Sequence, residues 1–194
     1  MIAVIDYGSG NIKSVTNALN DLRCEYIVTN REKEICDAEK IIFPGVGEAS
    51  FAVKRLHVLN LFTMLRVVNK PMLGICLGMQ LLCEKSLEGN AACLGVFPGS
   101  TEIFDGKKVK VPHMGWNKVK IASASQLFKD IPDETFFYFA HSYYVPINSF
   151  TIASADYGNV FSAAVEKGNY YGVQFHPEKS GKHGIQLLKN FIEL

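Results

Sequence analysis

Cys76 stands in Gly74-Ile75-Cys76-Leu77-Gly78, directly after the apolar run Pro71-Met72-Leu73 and directly before the helical pattern Met79-Gln80-Leu81-Leu82. Strand, sharp turn and helix in that order make a nucleophile elbow. Flanking glycines let the backbone fold tightly enough to push one side chain out, and the helix aims its free N–H groups at the same point. A thiol held there is favoured as the thiolate by the helix dipole, and the first helical N–H groups are ready donors for an oxyanion. One hundred residues further on, Tyr171-Gly172-Val173-Gln174-Phe175-His176-Pro177-Glu178 supplies a base and an acid. Pro177 disfavours the helical region for His176, so this segment is expected to be extended, with His176 and Glu178 on one side of the chain. A carboxylate beside the imidazole accepts one ring N–H and leaves the other nitrogen as a base for the thiol. Cys76 as nucleophile, His176 as general base then acid, and Glu178 as orienter complete an acyl-transfer triad.

The elements that must position these groups are legible as short apolar runs alternating with helical patterns. Ile2-Ala3-Val4-Ile5 reads as a buried strand, and Ile12, Val15, Leu19 and Leu22 then recur on one helix face. Tyr26-Ile27-Val28, Lys40-Ile41-Ile42-Phe43 and Met72-Leu73-Gly74-Ile75 repeat the strand signal, with one helical pattern over Ala49 to Val68. The Gly- and Pro-rich stretch from Leu94 to Val119 suggests hairpins. Phe136 to Phe139, Thr151 to Ala153, Ser162 to Val165 and Tyr170 to Phe175 add strands, and Ile185, Leu188, Phe191 and Ile192 mark a closing helix. The expected architecture is α/β, an open, mostly parallel sheet flanked by helices with additional β-hairpins. In such sheets ligands gather at the carboxyl ends of the strands, where Gly8, Gly45, Cys76 and His176 all fall.

The 194 residues are 48% hydrophobic, enough for one domain over 1–194 with a single sizeable core. A net charge of +1 gives no overall pull toward nucleic acid or an anionic membrane, and neither is expected as a partner. Five cysteines without Cys-x-x-Cys spacing argue against a disulfide framework and a zinc site, and fit a reducing cytoplasm. The start lacks the basic end of a signal peptide, and the longest apolar stretch, around Pro71 to Cys83, is too short to span a bilayer. Gly8-Ser9-Gly10 hints at a dinucleotide loop, but Lys13 stands where the third glycine would be, so that reading is rejected. Thiolate, base and oxyanion donors suffice for the chemistry, and neither metal nor organic cofactor is expected.

The elbow and the His-Pro-Glu run together resemble the class I glutamine amidotransferases. Asp6-Tyr7-Gly8-Ser9-Gly10-Asn11, Pro44-Gly45-Val46-Gly47, Pro112-His113-Met114-Gly115-Trp116-Asn117, His141-Ser142-Tyr143 and Lys179-Ser180 extend the likeness over the whole chain. The opening Asp-Tyr-Gly and the Pro-His-Met-Gly-Trp-Asn run narrow it to the branch of glutaminase subunits that serve imidazole glycerol phosphate synthases in histidine biosynthesis. The resemblance implies hydrolysis of glutamine to glutamate and ammonia, with the ammonia passed in a heterodimer to a barrel-fold cyclase subunit. Two rivals stand beside it. A glutaminase of another synthase would keep the triad without Pro112 to Asn117 in this form, and an inactive regulatory binding subunit would lack an intact triad.

Pro44-Gly45-Val46-Gly47 follows a strand, and its glycines free the backbone to turn N–H groups toward a ligand. The resemblance makes Val46, Gly47 and Leu77 the oxyanion donors, and implies that the Val46 peptide flips to complete the hole. Gln80, one helical turn after Cys76, can reach a bound substrate, and with Glu88, Ser142 and Tyr143 it is implied to hold the glutamine head group. Trp116, the only tryptophan, is suited to anchor an interface. The resemblance adds Asn11, in the Gly8 to Asn11 loop, and Lys179 to that interface.

Overall fold

The computed structural model describes residues 1–8 and 11–194. Ser9 and Gly10 of the loop singled out above lie outside the described residues. Thirteen strands are described: β1 (Ile2–Ile5), β2 (Tyr26–Thr29), β3 (Lys40–Gly45), β4 (Met72–Cys76), β5 (Cys83–Ser86), β6 (Ala91–Ala92), β7 (Phe97–Ile103), β8 (His113–Ile121), β9 (Thr135–His141), β10 (Tyr143–Tyr144), β11 (Thr151–Asp156), β12 (Val160–Lys167) and β13 (Tyr170–Val173). The helices are α1 (Ile12–Asp21), α2 (Glu32–Asp37), α3 (Ala49–Val58), α4 (Leu61–Val67), α5 (Leu77–Leu81) and α6 (Gly181–Glu193). Among the described residues no helix is long and apolar enough to cross a membrane.

Nine strands form one sheet in the order β2-β1-β3-β4-β13-β12-β11-β8-β9. The first five run parallel. From β13 outward every pairing is antiparallel, so the sheet is mixed, with hairpins β11–β12 and β12–β13 extending the parallel part. Consecutive strand residues face opposite sides, and the core divides accordingly. Ile2, Val4, Ile42, Leu73 and Ile75 pack with Val15 and Leu19 of α1 and Leu187, Leu188 and Phe191 of α6. Ala3, Ile5, Ile41, Phe43 and Met72 pack on the other side with α2, α3, α4 and α5. A smaller sheet, β10-β7-β5-β6, lies on that second side, with Cys83 and Phe97 in its core.

The expected single helix over Ala49 to Val68 is two helices. Asn60 takes a left-handed conformation (φ 58°) between α3 and α4, which Asn tolerates well, while apolar periodicity runs through the break and hides it. Helix α2 gives no periodic signal because Ile35 is its only buried residue. The stretch from Leu94 to Val119 does not fold into local hairpins. β7 pairs with β5 and β10, and β8 pairs with β9 and β11, because burial over long range chooses an alternating strand's partner.

Candidate active site

Cys76 closes β4 and Leu77 opens α5, so the thiol sits at the apex of the expected elbow. The residue in the unusual conformation is the cysteine itself, at φ 53° and ψ −108°. The two flanking glycines serve close packing, not dihedral freedom. A Cβ on Gly78 would lie 1.8 Å from the Phe43 carbonyl oxygen, and one on Gly74 would lie 2.8 Å from the Gly78 and Met79 backbone. Helix α5 thus presses directly on β3 and β4, which aims its N-terminus at the sulfur. Burial pushes Cys83 up to about 12 and Cys93 up to about 11, so those two remain thiols, inert in the core.

His176 is reached along β13, which lies beside β4 with Val173 opposite Ile75. Its backbone N–H donates to the Tyr138 carbonyl at 2.8 Å. The Ser180 hydroxyl donates to the His176 carbonyl at 2.7 Å and accepts the Tyr138 N–H at 2.9 Å. The expectation of an extended His-Pro-Glu segment holds for His176 (φ −101°, ψ 96°) but not beyond it. Pro177–Lys179 is one 3₁₀ turn, favoured by the fixed φ of proline in a first turn. That turn, not strand alternation, brings Glu178 back onto the ring, with Oε1 at 2.8 Å from His176 Nδ1 and both side chains almost wholly buried. Nε2 is left for Cys76. Burial works against a charge on His176, but the Cys76 sulfur and then the Glu178 carboxylate outweigh it, raising the imidazole to about 10.

Asn11, expected at a partner surface, instead turns its amide inward. Its Nδ2 donates to Glu178 Oε1. A left-handed backbone at Asn11 (φ 76°), where α1 begins, makes that approach possible.

A cavity of about 200 Å³ opens beside the thiol, lined by Val46, Gly47, Cys76, Leu77, Gln80, Glu88, Pro112, Met114, Ala140, His141, Ser142 and Tyr143. The oxyanion and substrate candidates therefore share one cavity. Gln80 is only 4% exposed, and its amide nitrogen is already committed to the Tyr143 carbonyl at 2.8 Å and to Gln174 Oε1 at 3.0 Å. Glu88 Oε2 accepts the Ala49 N–H at 2.8 Å, so it caps α3 while lining the cavity. Burial raises its pKa. Ser142 and Tyr143 lie where the chain leaves β9 and enters β10, and the Ser142 carbonyl accepts Phe104 N–H at 3.2 Å.

Motif residues without a role at the sequence level form a buried polar chain behind this cavity. His141 Nδ1 meets the Tyr143 carbonyl at 2.7 Å. A carbonyl only accepts, so Nδ1 carries the proton and Nε2 accepts, at 3.0 Å, the Nδ1–H of His113. His113 Nε2 then faces the Asn117 amide at 3.4 Å. Burial lowers His113 to about 4. Burial is also the largest influence on His141, lowered to about 3 against the pull of the Tyr143 carbonyl. Both rings stay neutral, each in one tautomer.

Trp116 on β8 is 55% exposed and meets Tyr138 edge-on at 6.1 Å, while Lys179 Nζ lies 6.0 Å over the same Tyr138 ring. Met114, 65% exposed, joins this aromatic and cationic surface to the cavity mouth. Trp116 and Lys179 are thus together on the surface, with Asn11 turned toward the triad beneath.

A nucleophile elbow, a buried imidazole–carboxylate pair and a cavity beside the thiol at the end of β4 define a class of acyl-transfer protein. The family profile described as Glutamine amidotransferase class-I matches residues 3–194, and the chain belongs to that family. It is 48% identical over 195 residues to the imidazole glycerol phosphate synthase subunit HisH of Bacteroides fragilis, covering 100% of this chain and 99% of that protein. It is 45% identical over 199 residues to the subunit HisH of Vibrio parahaemolyticus, covering 100% and 98%. Among solved structures, one described as a glutamine amidotransferase superposes with a TM-score of 0.76 at 16% identity, covering 100% of this chain and 98% of the other. The structure of PurLQS from Thermotoga maritima gives 0.73 at 19%, covering 99% and 97%. At those identities the two structures speak for the fold alone.

Proposed function

We propose that residues 1–194 form one glutaminase domain, the glutamine-hydrolysing subunit of an imidazole glycerol phosphate synthase in histidine biosynthesis. The observation that carries this reading is the buried His176–Glu178 pair at 2.8 Å, set against the elbow cysteine in a chain 48% identical to a synthase subunit. The Cys76 thiolate attacks the side-chain carboxamide carbon of glutamine, forming a C–S bond, and the oxygen takes up the negative charge. Donors from Leu77 and from Val46 and Gly47 hold that oxyanion, each worth on the order of 100-fold in rate. His176, protonated before substrate arrives, gives its proton to the departing amine. The C–N bond breaks, ammonia leaves, and a glutamyl thioester remains. Water then gives a proton to His176 and its oxygen to the acyl carbon, the C–S bond breaks, and glutamate departs as the Cys76 thiolate re-forms beside protonated His176. Gln80, Glu88, Ser142 and Tyr143 line the space for the glutamine head group.

Ammonia protonates readily in water and loses its nucleophilic lone pair, so a direct path into a partner is required. The surface of Trp116, Tyr138 and Lys179 beside the cavity mouth suits the cyclase subunit, in a cytoplasmic heterodimer. The test is glutamate release by this chain co-purified with that cyclase, with and without its phosphoribulosyl aminoimidazole carboxamide substrate. The expected outcome is turnover that rises with the cyclase ligand and vanishes in Cys76→Ala. Undiminished glutamate release in Cys76→Ala overturns the nucleophile, and failure of the cyclase to bind overturns the partner.

A further inference from the structure

Gln174 is fully buried, belongs to none of the triad roles, and points its amide at the nucleophile: Nε2 lies 3.6 Å from Cys76 Sγ. The placement follows from the strands. β13 runs beside β4 with Val173 opposite Ile75, so the next residue on each, Gln174 and Cys76, are neighbours as well. β13 ends at Val173 and the chain bends at Gln174 and Phe175, and that bend leaves both Gln174 and His176 facing the Cys76 sulfur.

Which end of the Gln174 amide faces the sulfur is fixed by Gln80. Gln80 Nε2 donates to Gln174 Oε1 at 3.0 Å and to the Tyr143 carbonyl at 2.8 Å, a carbonyl that also holds His141 Nδ1 at 2.7 Å. With its oxygen occupied as an acceptor, Gln174 presents N–H to Cys76. A sulfur anion only 5% exposed needs such donors, because little of it is open to water. The neutral thiol has a different neighbour, the Ala140 carbonyl, toward which Sγ–H is directed at 3.8 Å. One partner thus accepts from the thiol and the other donates to the thiolate.

We propose that Gln174 is a further catalytic residue, donating an amide hydrogen bond to the Cys76 thiolate, with Gln80 as the positioning residue that keeps the amide in register. The inference rests on the glutaminase reading for its place in catalysis, but not for its test, which needs neither glutamine nor a partner. Loss of a donor that favours the thiolate moves the pH dependence of sulfur reactivity toward higher pH.

The experiment is alkylation of the full chain by iodoacetamide across pH, followed on the Cys76 peptide by mass spectrometry, for the parent, Gln174→Met and Gln174→Glu. Loss of a hydrogen bond to a charged acceptor moves the thiol–thiolate equilibrium toward the thiol by roughly tenfold. Gln174→Met should therefore reach a given alkylation rate only about one pH unit higher than the parent, with the slowing confined to the rising limb of the profile, by that same loss. Gln174→Glu keeps the shape and the acceptor for Gln80 but sets a carboxylate against the sulfur, so its profile should move further in the same direction. Glu is the variant that retains packing should Met disturb it. Profiles of both variants that superimpose on the parent overturn the proposal.

Discussion

Asn11 and His176 share one oxygen of Glu178: Oε1 accepts the Asn11 amide and faces His176 Nδ1 at 2.8 Å. The residue at the start of α1 thereby holds the carboxylate that holds the imidazole.

Asn11→Ala is expected to lower kcat by roughly tenfold with little change in KM, since a hydrogen bond to a charged group is lost while the cavity lining stays intact. Asn11→Asp should be worse, placing a second carboxylate on Glu178. Steady-state glutaminase kinetics with the cyclase present check both, and an unchanged kcat in Asn11→Asp would remove Asn11 from the triad's support.

Cys76 holds its φ of 53° against the usual preference of an L residue. Such strain costs on the order of 1–3 kcal/mol and is relieved by glycine. Cys76→Gly should therefore be at least as stable as Cys76→Ala, reversing the ordinary order of the two residues. Chemical denaturation of the two inactive variants compares them directly, and Ala clearly above Gly contradicts the strain.

Gly78→Ala should fail to assemble the elbow, because its methyl would sit 1.8 Å from the Phe43 carbonyl oxygen. Overpacking in a tight core costs typically about 1–3 kcal/mol, and a backbone oxygen cannot rotate away, so the upper end or more is expected. By contrast Gly47→Ala meets nothing within 4 Å and strains only its φ of 100°. Thermal melts of the pair should separate them clearly.

His113 and His141, lowered by burial to about 4 and about 3, make stability pH-dependent with a definite sign. Above an ordinary histidine pKa of about 6.5 both states are neutral and these residues contribute no slope. As pH falls below that value the unfolded chain binds protons that the folded rings refuse, so stability drops until the folded values are reached. Urea denaturation between pH 7.5 and 5 should show this decline in a Cys76→Ala background, where the triad sulfur is absent. His141→Gln should flatten it, and an equally steep slope in that variant would assign the decline elsewhere.

The candidate nucleophile and base, with the strands and helix that carry them, are legible in the sequence. Glycines around a cysteine between an apolar run and a helical run, and a proline after a histidine, restrict local backbone so strongly that the elbow and the strand-end base are legible without coordinates. The parallel half of the sheet is equally legible, since fully buried strands are continuous apolar runs. Tertiary structure alone decided which side chains face one another. Asn11 meets Glu178 across the whole chain length, Gln80 turns to Gln174, and His113 pairs with His141, because hydrogen-bond partners of buried polar groups are chosen by the packing of distant segments and leave no period in the chain. The break at Asn60, the 3₁₀ turn at Pro177 and the partners of β7 and β8 belong to the same category. In each, local preference allowed more than one conformation, and burial against the rest of the molecule selected one.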